Sequence, residues 1–581
     1  MKKANKLIPA LVVIVLIVVI VLMMLLGKLI EKYTPTKEIQ DLSEYYNITE
    51  EGKTAIVLNQ TLIEEQAVYK DGIVYMSFEA VRSILNERFY WDSNENLLLY
   101  TTPSDVITAN LGEQAYYISK NKQDTTYQVW YEEGETAYIA LDYVKLYTAM
   151  DFTFIAGPDR VIISTVYEPI TQTKVSKATQ LRVKGGIKSP VLKELTKDEA
   201  LTLLEEGDDW DKVISADGLI GYVQSKYLGN EEEIELVSTF EEPVFEHTLK
   251  DFVINMGWHQ VTSQEANSSI ATVISSTKGM NVISPTWFYL NDNDGNLMNI
   301  ASSDYVSYCH QNGIEVWALV SNLENADVDT TQVLNYTSKR TNVINQLIAA
   351  AIQYDLDGIN VDFESLSVDA GLGYIQFIRE LSLKCKNNGI TLSVDNYVPS
   401  EYTAFYNRQE QANFADYVVI MAYDEHYSGS EEEGSVASIG FVQQGVADTL
   451  TEVPANQIIL GIPFYTRIWA LTPKGDSGES VESASEDYVP YEVTSSAVGM
   501  QEAFNQASVN GAVPTWMDEY GQYYAEYEND GITYKIWFED ATSIDLKLLQ
   551  MQNNQLAGVS FWKLGFEEPT IWDTILKYTT N

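Results

Sequence analysis

Cysteine and histidine are scarce in this chain of 581 residues. The two cysteines, Cys309 and Cys385, are too few for a framework of disulfides, so a hydrophobic core must hold any fold together. We predict that both thiols are free and buried on helices. The four histidines lack the spacing of metal ligands, and no metal site is predicted.

Basic residues are also few. The chain has 37 lysines and arginines against 83 aspartates and glutamates, for a formal net charge of −46. Such a charge repels phosphate, so the sequence argues against nucleic acid and anionic lipid surfaces as partners. An acidic surface favours solubility and identifies no substrate. The length is sufficient for two or more domains.

An uninterrupted apolar segment runs from Leu7 to Leu26 and follows three lysines. As a helix it is long enough to cross about 30 Å of hydrocarbon. A cleavable signal peptide is the alternative, but its apolar core is usually about 7–15 residues and precedes a small-residue cleavage site. We therefore predict an uncleaved transmembrane signal anchor at residues 7–26. The tail at residues 1–6 would be cytoplasmic, and the bulk of the chain would face a bacterial cell wall.

A polar stalk is predicted at residues 27–54 and a strand-rich module at 55–167. Within the module, the pattern of residues 74–81 recurs at 137–144, and each copy leads into a short helix, an aromatic patch and an apolar strand. Two copies of one unit predict a small α+β fold. The region resembles the copper-amine-oxidase N-terminal-like module of bacterial surface proteins. That name implies no copper chemistry here, because the region has no histidine. A spacer role and contact with the wall both fit.

Residues 170–229 contain short apolar runs between Gly and Asp turns, which predicts a small β-barrel. Leu181-Arg182-Val183 near the start and Gly221-Tyr222-Val223 near the end resemble bacterial Src-homology-3-like domains. The resemblance implies binding of wall peptides or glycans, with a structural spacer as an equal alternative. The glutamate-rich residues 230–244 are interpreted as an acidic linker.

The remaining residues, 245–581, contain eight apolar runs that mostly alternate with helical patterns. The runs are Phe252–Met256, Asn281–Ser284, Glu315–Val320, Gly358–Asp362, Thr391–Asp395, Tyr417–Ala422, Ile458–Ile462 and Gly558–Trp562. Eight βα units predict an α/β fold of the (β/α)8 or TIM-barrel type. The long gap between Ile468 and Leu546 predicts an inserted subdomain. The predicted chain is therefore multidomain, with the barrel last.

The fourth of these runs lies in the stretch Leu356–Glu364, whose sequence is LDGINVDFE. Its apolar residues alternate with Asn360, Asp362 and Glu364, a period of two that is typical of a β-strand. Helical patterns precede and follow the stretch, so it belongs to a parallel sheet that is buried on both faces. Burying two carboxyl groups and an amide side by side is costly, which favours a functional role over a solvent-facing edge strand.

This stretch resembles the catalytic signature of family-18 glycoside hydrolases, the chitinase-like group, which reads Asp-x-x-Asp-x-Asp-x-Glu on the fourth barrel strand. Asp357, Asp362 and Glu364 match it, while Asn360 stands where the middle Asp is usual. The resemblance extends over residues 245–581. It implies a glycosidase that acts on glycans containing N-acetylglucosamine and needs no cofactor.

Aromatic and polar residues follow several of the predicted strands, where barrel active sites lie. The residues in question are Trp258, Trp287, Tyr397, Tyr423, Asp424, Tyr465, Arg467 and Trp562. Flat aromatic faces match the C–H faces of sugars, so we expect these residues to line a substrate-binding cleft. One or two of the aromatics should instead be ordinary core.

The resemblance also implies roles for individual residues. Glu364 would donate a proton to the leaving oxygen, and the nearby charge of Asp362 should raise its affinity for that proton. No second carboxylate is evident as a nucleophile. In the family, the acetamido carbonyl of the substrate attacks its own anomeric carbon, with retention of configuration. Asp362 and Tyr423 would hold the acetamido group, Asp424 would line the subsite, and Trp562 would form its floor.

Asn360 departs from the family pattern. There the middle Asp shares a proton with the next Asp, and an amide cannot ionise. We expect Asn360 to donate a hydrogen bond to Asp362 instead, and we place Asn360 and Asp357 among the substrate-binding residues. Asn at this place is familiar from bacterial cell-wall members of the family. The leading hypothesis is therefore a membrane-anchored glycosidase that cleaves β-1,4 bonds in peptidoglycan.

Other functions fit parts of the same pattern. Chitin and N-glycan cores are alternative substrates for the same machinery. A non-catalytic glycan-binding protein is the alternative from another class, but such proteins typically lack the acid Glu, and Glu364 is present together with Asp362 and Tyr423. A barrel that only positions the N-terminal modules offers no reason for aromatic residues at the strand ends.

Overall fold

The chain forms two compact units in the computed structural model, which describes residues 7–48, 50–474 and 491–580. The first unit consists of Met1–Trp91 with Thr108–Glu242, and the second of Asp92–Ile107 with Pro243–Asn581. The predicted cytoplasmic tail, residues 1–6, lies outside the described residues.

The first unit begins with a single apolar helix, Leu7–Tyr33. Its portion Ile8–Tyr33 is long and apolar enough to cross a membrane by length and composition, and its large apolar side chains are exposed. A signal sequence near an N-terminus satisfies the same criteria. The helix is therefore compatible with both interpretations of the apolar segment.

Two seven-stranded sheets make up most of the rest of the first unit. In spatial order, the strands of the first sheet are Asp151–Ile155, Arg160–Ser164, Lys53–Leu58, Thr61–Lys70, Ile73–Ser77, Thr136–Ala140 and Trp130–Glu133. Those of the second are Val191–Leu195, Thr179–Arg182, Ile220–Gln224, Trp210–Ser215, Ala200–Glu205, Ile170–Val175 and Leu228–Ile234. Of the remaining strands before the barrel, Ala115–Ile118 and Asn121–Asp124 belong to the first unit, Leu97–Thr101 belongs to the second, and Tyr90–Asp92 and Val106–Asn110 cross the boundaries between the two.

The sequence repeat has the same local structure in both copies. Each copy is a strand followed by a short helix, Phe78–Ala80 in the first and Leu141–Val144 in the second. The two strands, Ile73–Ser77 and Thr136–Ala140, pair antiparallel as neighbours in the first sheet. The repeat therefore corresponds to a repeated strand–helix unit.

The segment predicted as an acidic linker begins inside a strand. Leu228–Ile234 pairs antiparallel with Ile170–Val175 at the edge of the second sheet, and Glu231 lies opposite Thr173. The prediction was therefore wrong for residues 230–234. An edge strand exposes charged side chains to water while its backbone pairs, so a run of glutamates does not exclude a strand.

Residues 92–107, predicted as part of the first module, pack with the second unit instead. Oδ2 of Asp92 accepts hydrogen bonds from the backbone N of Thr337 at 2.7 Å and from its Oγ1 at 2.6 Å. These bonds satisfy the start of the helix Thr337–Tyr354, whose own preceding residue, Tyr336, provides no side-chain cap. Partners separated by 245 positions leave no local signal in the sequence.

Eight parallel strands form a closed barrel in the second unit. We number them β1 to β8, in the order Ile254–His259, Val282–Leu290, Glu315–Ser321, Gly358–Asp362, Thr391–Tyr397, Tyr417–Met421, Ile458–Pro463 and Gly558–Trp562. Each strand pairs in parallel with the next, and β8 pairs with β1. The predicted TIM barrel is confirmed.

Helices cover the outside of the barrel. They span Ile270–Val273, Ser303–Gln311, Thr330–Asn335, Thr337–Tyr354, Gly371–Asn388, Arg408–Phe414, Ile439–Thr449, Ala541–Asn553 and Ile571–Thr579. The outward side chains of the strands pack against these helices in one large core, and inward side chains such as Trp317 and Tyr417 form a smaller core inside the barrel. Cys309 and Cys385 are free and buried on helices, as predicted.

An antiparallel sheet is inserted between β7 and β8, where the sequence predicts an extra subdomain. In spatial order its strands are Tyr491–Gly499, Tyr465–Pro473, Ile532–Phe538, Gln522–Asn529 and Thr515–Met517, and the helix Met500–Val509 accompanies them. A short strand, Leu297–Asn299, also pairs with the end of β2. The insertion places polar side chains near the carboxyl ends of the barrel strands.

The outer layer of the barrel contains a buried ion pair that we expect to be important for stability. Nη2 of Arg379 lies 2.7 Å from Oε1 of Glu410, and the two side chains are 3% and 2% exposed. Glu410→Ala should cost about 3–5 kcal/mol of unfolding free energy, because the buried arginine keeps its charge without that partner. Urea unfolding of the full chain in detergent measures the cost. Glu401→Ala, an exposed change nearby, is the control, and equal midpoints for the two variants would contradict the prediction.

Candidate active site

The polar residues of β4 point into the barrel. Ile359, Val361 and Phe363 belong to the core between the strands and the helices. Because side chains alternate along a strand, Asn360 and Asp362 face the opposite way, toward the interior. Asn360 is fully buried there. The predicted period of two is confirmed, and it builds a polar cluster inside the barrel.

Asn360 is at the centre of this cluster and uses its whole amide group. Its Oδ1 accepts hydrogen bonds from Nε1 of Trp258 at 3.0 Å and from Oγ of Ser284 at 3.1 Å. Its Nδ2 donates to Oγ of Ser393 at 3.0 Å and to Oδ1 of Asp395 at 2.7 Å. An indole N–H only donates and a carboxylate only accepts, so these partners determine the amide orientation.

The expected hydrogen bond from Asn360 to Asp362 is wrong, because the amide donates to β5 instead. In the pairing of β4 with β5, Asn360 lies opposite Ser393 and Val361 opposite Val394. This register brings Asp395 next to Asp362. Two residues apart on one strand, Asn360 and Asp362 point the same way and lie farther apart than neighbours on adjacent strands.

Asp395 is a member of the cluster that the sequence analysis did not single out. It is 2% exposed and closes an apolar run, where a single acidic residue attracts little notice. The signal was the same period of two, since Ser393 and Asp395 alternate with Leu392 and Val394. Only the pairing of β4 with β5 shows that this second polar face adjoins the first.

Burial is the largest cause of the raised pKa of all three carboxyl groups in the cluster. It raises the pKa of Asp362 and of Asp395 well above the usual range, and that of Glu364 as well. The charges of Glu364, Asp395 and Glu324 raise the pKa of Asp362 further. The hydrogen bond from Asn360 lowers the pKa of Asp395 in part. Such groups can retain protons at pH values where exposed carboxyls have lost them.

For Glu364, the charges that raise the pKa after burial are those of Asp424 and Glu324, and a hydrogen bond with Tyr397 opposes them. The predicted interaction with Asp362 is also present, because the charge of Glu364 is the largest cause after burial of the raised pKa of Asp362. Glu364 lies just beyond the end of β4, where residues from the ends of other strands surround it.

The backbone of Glu364 is held by a neighbouring strand end. Its N–H donates to Oδ1 of Asn322 at 2.8 Å, and Nδ2 of Asn322 donates back to its carbonyl at 2.9 Å. The next backbone N–H, that of Ser365, donates to the hydroxyl of Tyr397 at 3.1 Å. Asn322 follows β3 directly and was missed, because a lone Asn after a strand carries no distinctive pattern.

Residues that follow β6 and β7 also reach the cluster. The hydroxyl of Tyr465 donates to Oδ1 of Asp424 at 2.6 Å, and the rings of Tyr465 and Tyr423 meet edge to face at 6.2 Å. Burial raises the pKa of Tyr423 well above its usual range, and the charge of Asp362 contributes to the shift. Nη1 of Arg467 donates to Oγ of Ser495, on the neighbouring strand of the inserted sheet, at 3.1 Å.

Two of the predicted cleft tryptophans are core residues. Trp287 is fully buried, donates from Nε1 to Asn267 and packs on Tyr305 among the outer helices. Trp258 is 1% exposed and lies inside the barrel, where it supports Asn360. Both were predicted to line the cleft because they follow predicted strands. That position in the sequence does not specify the face on which a side chain lies. Trp562 is half-buried, with its ring 6.0 Å from that of Trp258.

The predicted placement of Asp357 in the cleft is also wrong. Its Oδ2 accepts a hydrogen bond from the backbone N of Val316 at 2.8 Å and lies 2.8 Å from Nε2 of His310. Asp357 precedes β4, so it lies at the amino end of the barrel, roughly 16 Å of strand away from Asp362. There it joins β3 and a helix end to β4.

No metal centre accompanies the cluster. Within residues 7–48, 50–474 and 491–580, no group of three or more His, Cys, Asp or Glu side chains is placed to hold a metal ion. The cluster therefore offers acid–base groups, namely carboxyls with raised pKa values and a buried phenol. Such groups can donate protons and accept hydrogen bonds from a bound molecule.

Two protein families match the sequence. Residues 262–567 match the family described as Glycosyl hydrolases family 18, and residues 177–229 match the one described as Bacterial SH3 domain. The second match confirms the predicted resemblance of residues 170–229. The likeness of the strand-rich module to copper-amine-oxidase N-terminal domains stays a prediction.

Similar proteins are found in Bacillus. An uncharacterized glycosylase of Bacillus subtilis, YvbX, is 26% identical over 314 residues, with 52% of this chain and 85% of that protein covered. The cortical fragment-lytic enzyme of the same organism is 28% identical over 266 residues, covering 44% and 58%. The spore cortex-lytic enzyme SleL of Bacillus cereus has a crystal structure that is 20% identical, with a TM-score of 0.49 and coverage of 60% and 77%.

The family match spans more than half of the chain and includes both Asp362 and Glu364. The barrel found in the structure is the fold that the resemblance implied. This chain therefore belongs to glycosyl hydrolase family 18 and is a glycosidase.

Proposed function

We propose that this glycosidase cleaves β-1,4 bonds in peptidoglycan next to N-acetylglucosamine, by a retaining, substrate-assisted mechanism. The observation that carries the proposal is the pair formed by Asp362, the last residue of β4, and Glu364, just beyond it at the carboxyl end of the barrel, with both pKa values raised. A carboxyl that keeps its proton near neutral pH can act as a general acid.

Glu364 is the proton donor in this mechanism. Its backbone is held by Asn322, and its side chain is only partly buried, so it stays accessible to a glycosidic oxygen. The O–H bond of Glu364 breaks as the proton moves to the leaving sugar, and the bond between that oxygen and the anomeric carbon breaks with it.

The substrate supplies the nucleophile. The carbonyl oxygen of its 2-acetamido group bonds to the anomeric carbon, and a positively charged oxazolinium ring forms. Asp362 accepts the hydrogen bond of the acetamido N–H, and the buried hydroxyl of Tyr423 donates to the acetamido oxygen. Water then attacks the anomeric carbon from the vacated face, and Glu364 accepts its proton. The two inversions give net retention.

Side chains around these groups bind the sugars. The half-buried ring of Trp562 provides a flat apolar floor, and Asp424 is oriented by the hydroxyl of Tyr465. Tyr397 at the end of β5 and Arg467 near the start of the inserted strand Tyr465–Pro473 complete the binding surface. Asn360 lies deeper in the barrel and acts indirectly, by donating a hydrogen bond to Asp395.

Peptidoglycan is proposed because two parts of the chain and the name of a relative agree with a wall substrate. A bacterial SH3 domain precedes the barrel, and the N-terminal helix can serve as a membrane anchor. A relative is named for lysis of cortical fragments. In this proposal the protein is a single-pass membrane protein whose bulk lies outside the cell and faces the wall.

Glu364→Gln should lower kcat by roughly 10²–10⁴-fold, since the amide cannot donate the proton. The test uses the full chain in detergent with purified peptidoglycan and, separately, with chitin oligosaccharides. Mass spectrometry identifies the ends released. We expect N-acetylglucosamine reducing ends from peptidoglycan with the wild type and with the control Glu401→Gln, and none above background with Glu364→Gln.

Each other outcome of that experiment has a definite meaning. Cleavage of chitin alone would retain the mechanism and overturn the wall substrate. Equal binding of glycan by wild type and Glu364→Gln, with no cleavage of either polymer, would favour a glycan-binding protein.

The mechanism requires the acetamido group, so chemically de-N-acetylated peptidoglycan should not be cleaved. The expected loss of rate is at least as large as for Glu364→Gln, because the nucleophile itself is absent. Re-acetylation of the same polymer with acetic anhydride is the control and should restore cleavage. Undiminished cleavage of the deacetylated polymer would indicate a nucleophile supplied by the protein.

Asn360→Asp should keep activity within about tenfold of wild type and shift its pH profile. The new carboxylate would lie beside Asp395, at the place where Nδ2 now donates over 2.7 Å. An added negative charge raises the pKa values around it, so we expect the alkaline loss of activity to move to higher pH. Asn299→Asp, at an exposed position, is the matched control. Complete loss of activity would show that the site depends on a neutral amide.

A further inference from the structure

We propose that Asp395 is a positioning residue that shares one proton with Asp362 and holds it while Asp362 binds the acetamido N–H. The inference rests on the proposed function for its catalytic consequence. The shared proton itself is a property of the protein without substrate and does not depend on the proposed function.

Adjacent strands bring the two carboxyl groups together. Asn360 pairs with Ser393 and Val361 with Val394, so the next inward residue of β4 is Asp362 and that of β5 is Asp395. In-register residues of neighbouring strands are about 5 Å apart and face the same side of the sheet.

Each carboxyl group has one buried oxygen without a protein donor. Among the described residues, no hydrogen-bond partner is found for Oδ1 of Asp362 or for Oδ2 of Asp395. Buried polar atoms are otherwise satisfied almost everywhere in proteins. A proton held between the two groups supplies the missing bond, since one carboxyl then donates and the other accepts.

Asn360 orients Asp395 for this task. Its Nδ2 donates to Oδ1 of Asp395, so the other oxygen, Oδ2, is the one that remains available. The amide cannot take up or release a proton itself, and its Oδ1 is already occupied by Trp258 and Ser284. Because Asn360 cannot share a proton, the carboxyl on the neighbouring strand β5, Asp395, is the candidate to do so.

The groups around Asp362 and Asp395 disfavour the ionisation of both carboxyls at once. The charged groups that act on Asp362 are Glu364, Asp395 and Glu324, all acidic, and its other titratable neighbours are the phenols of Tyr374 and Tyr423, whose pKa values are raised in turn. When two carboxyl groups share a site, burial and mutual repulsion disfavour the second charge and so favour the singly protonated pair. Both pKa values are raised, in agreement with that state.

The proton transfer balances without any other reactant. As the substrate's acetamido N–H approaches, the O–H bond of Asp362 breaks and an O–H bond forms at Oδ2 of Asp395. The electron pair stays on Asp362, and the pair keeps a net charge of −1 throughout. Asp362 is then an anion beside the positive oxazolinium ring. The proton returns when the ring opens.

The shared proton is tested first without substrate, by infrared spectroscopy of the full chain in detergent at neutral pH. The difference spectrum of wild type minus Asp395→Asn should contain the C=O stretch of a protonated carboxyl, shifted in D₂O. Asp362→Asn should give the same band. The control, Asp304→Asn at an exposed helix start, should give none. No such band for either variant would mean two ionised carboxylates and would overturn the proposal.

The pH dependence of kcat tests the catalytic consequence. At high pH the wild type loses the protons of both Glu364 and Asp395, so log kcat should fall with a slope that approaches about two. In Asp395→Asn only Glu364 still titrates, and the slope should be about one. The exchange variant Asn360→Asp with Asp395→Asn returns a carboxyl to the cluster and should restore the steeper slope.

These readouts separate the proposal from a structural role and from the proposed function. If Asp395 only supported packing, Asp395→Asn would lower kcat with the slope unchanged, and the proposal would fail. A carboxyl band in a protein that cleaves no glycan would leave the shared proton established and overturn the glycosidic mechanism. Cleavage of glycan by a protein without the carboxyl band would support the glycosidic mechanism and overturn the shared proton.

Discussion

The amide of Asn360 is the interaction on which the site depends. It joins four neighbours inside the barrel, with Trp258 and Ser284 on one side and Ser393 and Asp395 on the other. A group that donates and accepts at once can link an indole N–H to a carboxylate. An ionised carboxylate in its place would satisfy the indole and repel Asp395. The hydrogen bonds that β1, β2 and β5 make with Asn360 on β4 therefore account for an Asn at this position, where the family usually has Asp.

Burying acidic groups in a barrel costs free energy, and the fold offsets that cost locally. Asn322 holds the backbone of Glu364, Tyr397 bonds to its side chain, and Tyr465 bonds to Asp424. Each of these residues follows a different strand. A closed sheet brings the ends of its strands to one place, so groups far apart in sequence can share a few protons and hydrogen bonds.

The sequence predicted the barrel and the strand at its centre because both depend on periodicity. The eight apolar runs became eight strands, and the alternation of Ile359, Asn360, Val361 and Asp362 gave the correct faces. The predictions that relied only on the position of a residue along the chain were wrong. Trp287 lies within β2 with its side chain among the outer helices, and Asp357, the first residue of the signature, lies at the amino end of β4. Asp395 belongs to no recognised sequence motif, so it was not predicted as a site residue.

The sequence by itself determined the family, the (β/α)8 fold and the acidic pair on β4, because local patterns and one nine-residue stretch contain that information. Tertiary structure decided which groups face one another. The register between β4 and β5 made Asp395 the neighbour of Asp362, and the pairing of residues 92–107 with a barrel helix joined segments 245 positions apart. Such contacts depend on the closure of the barrel and the packing of its helices, which no local pattern specifies.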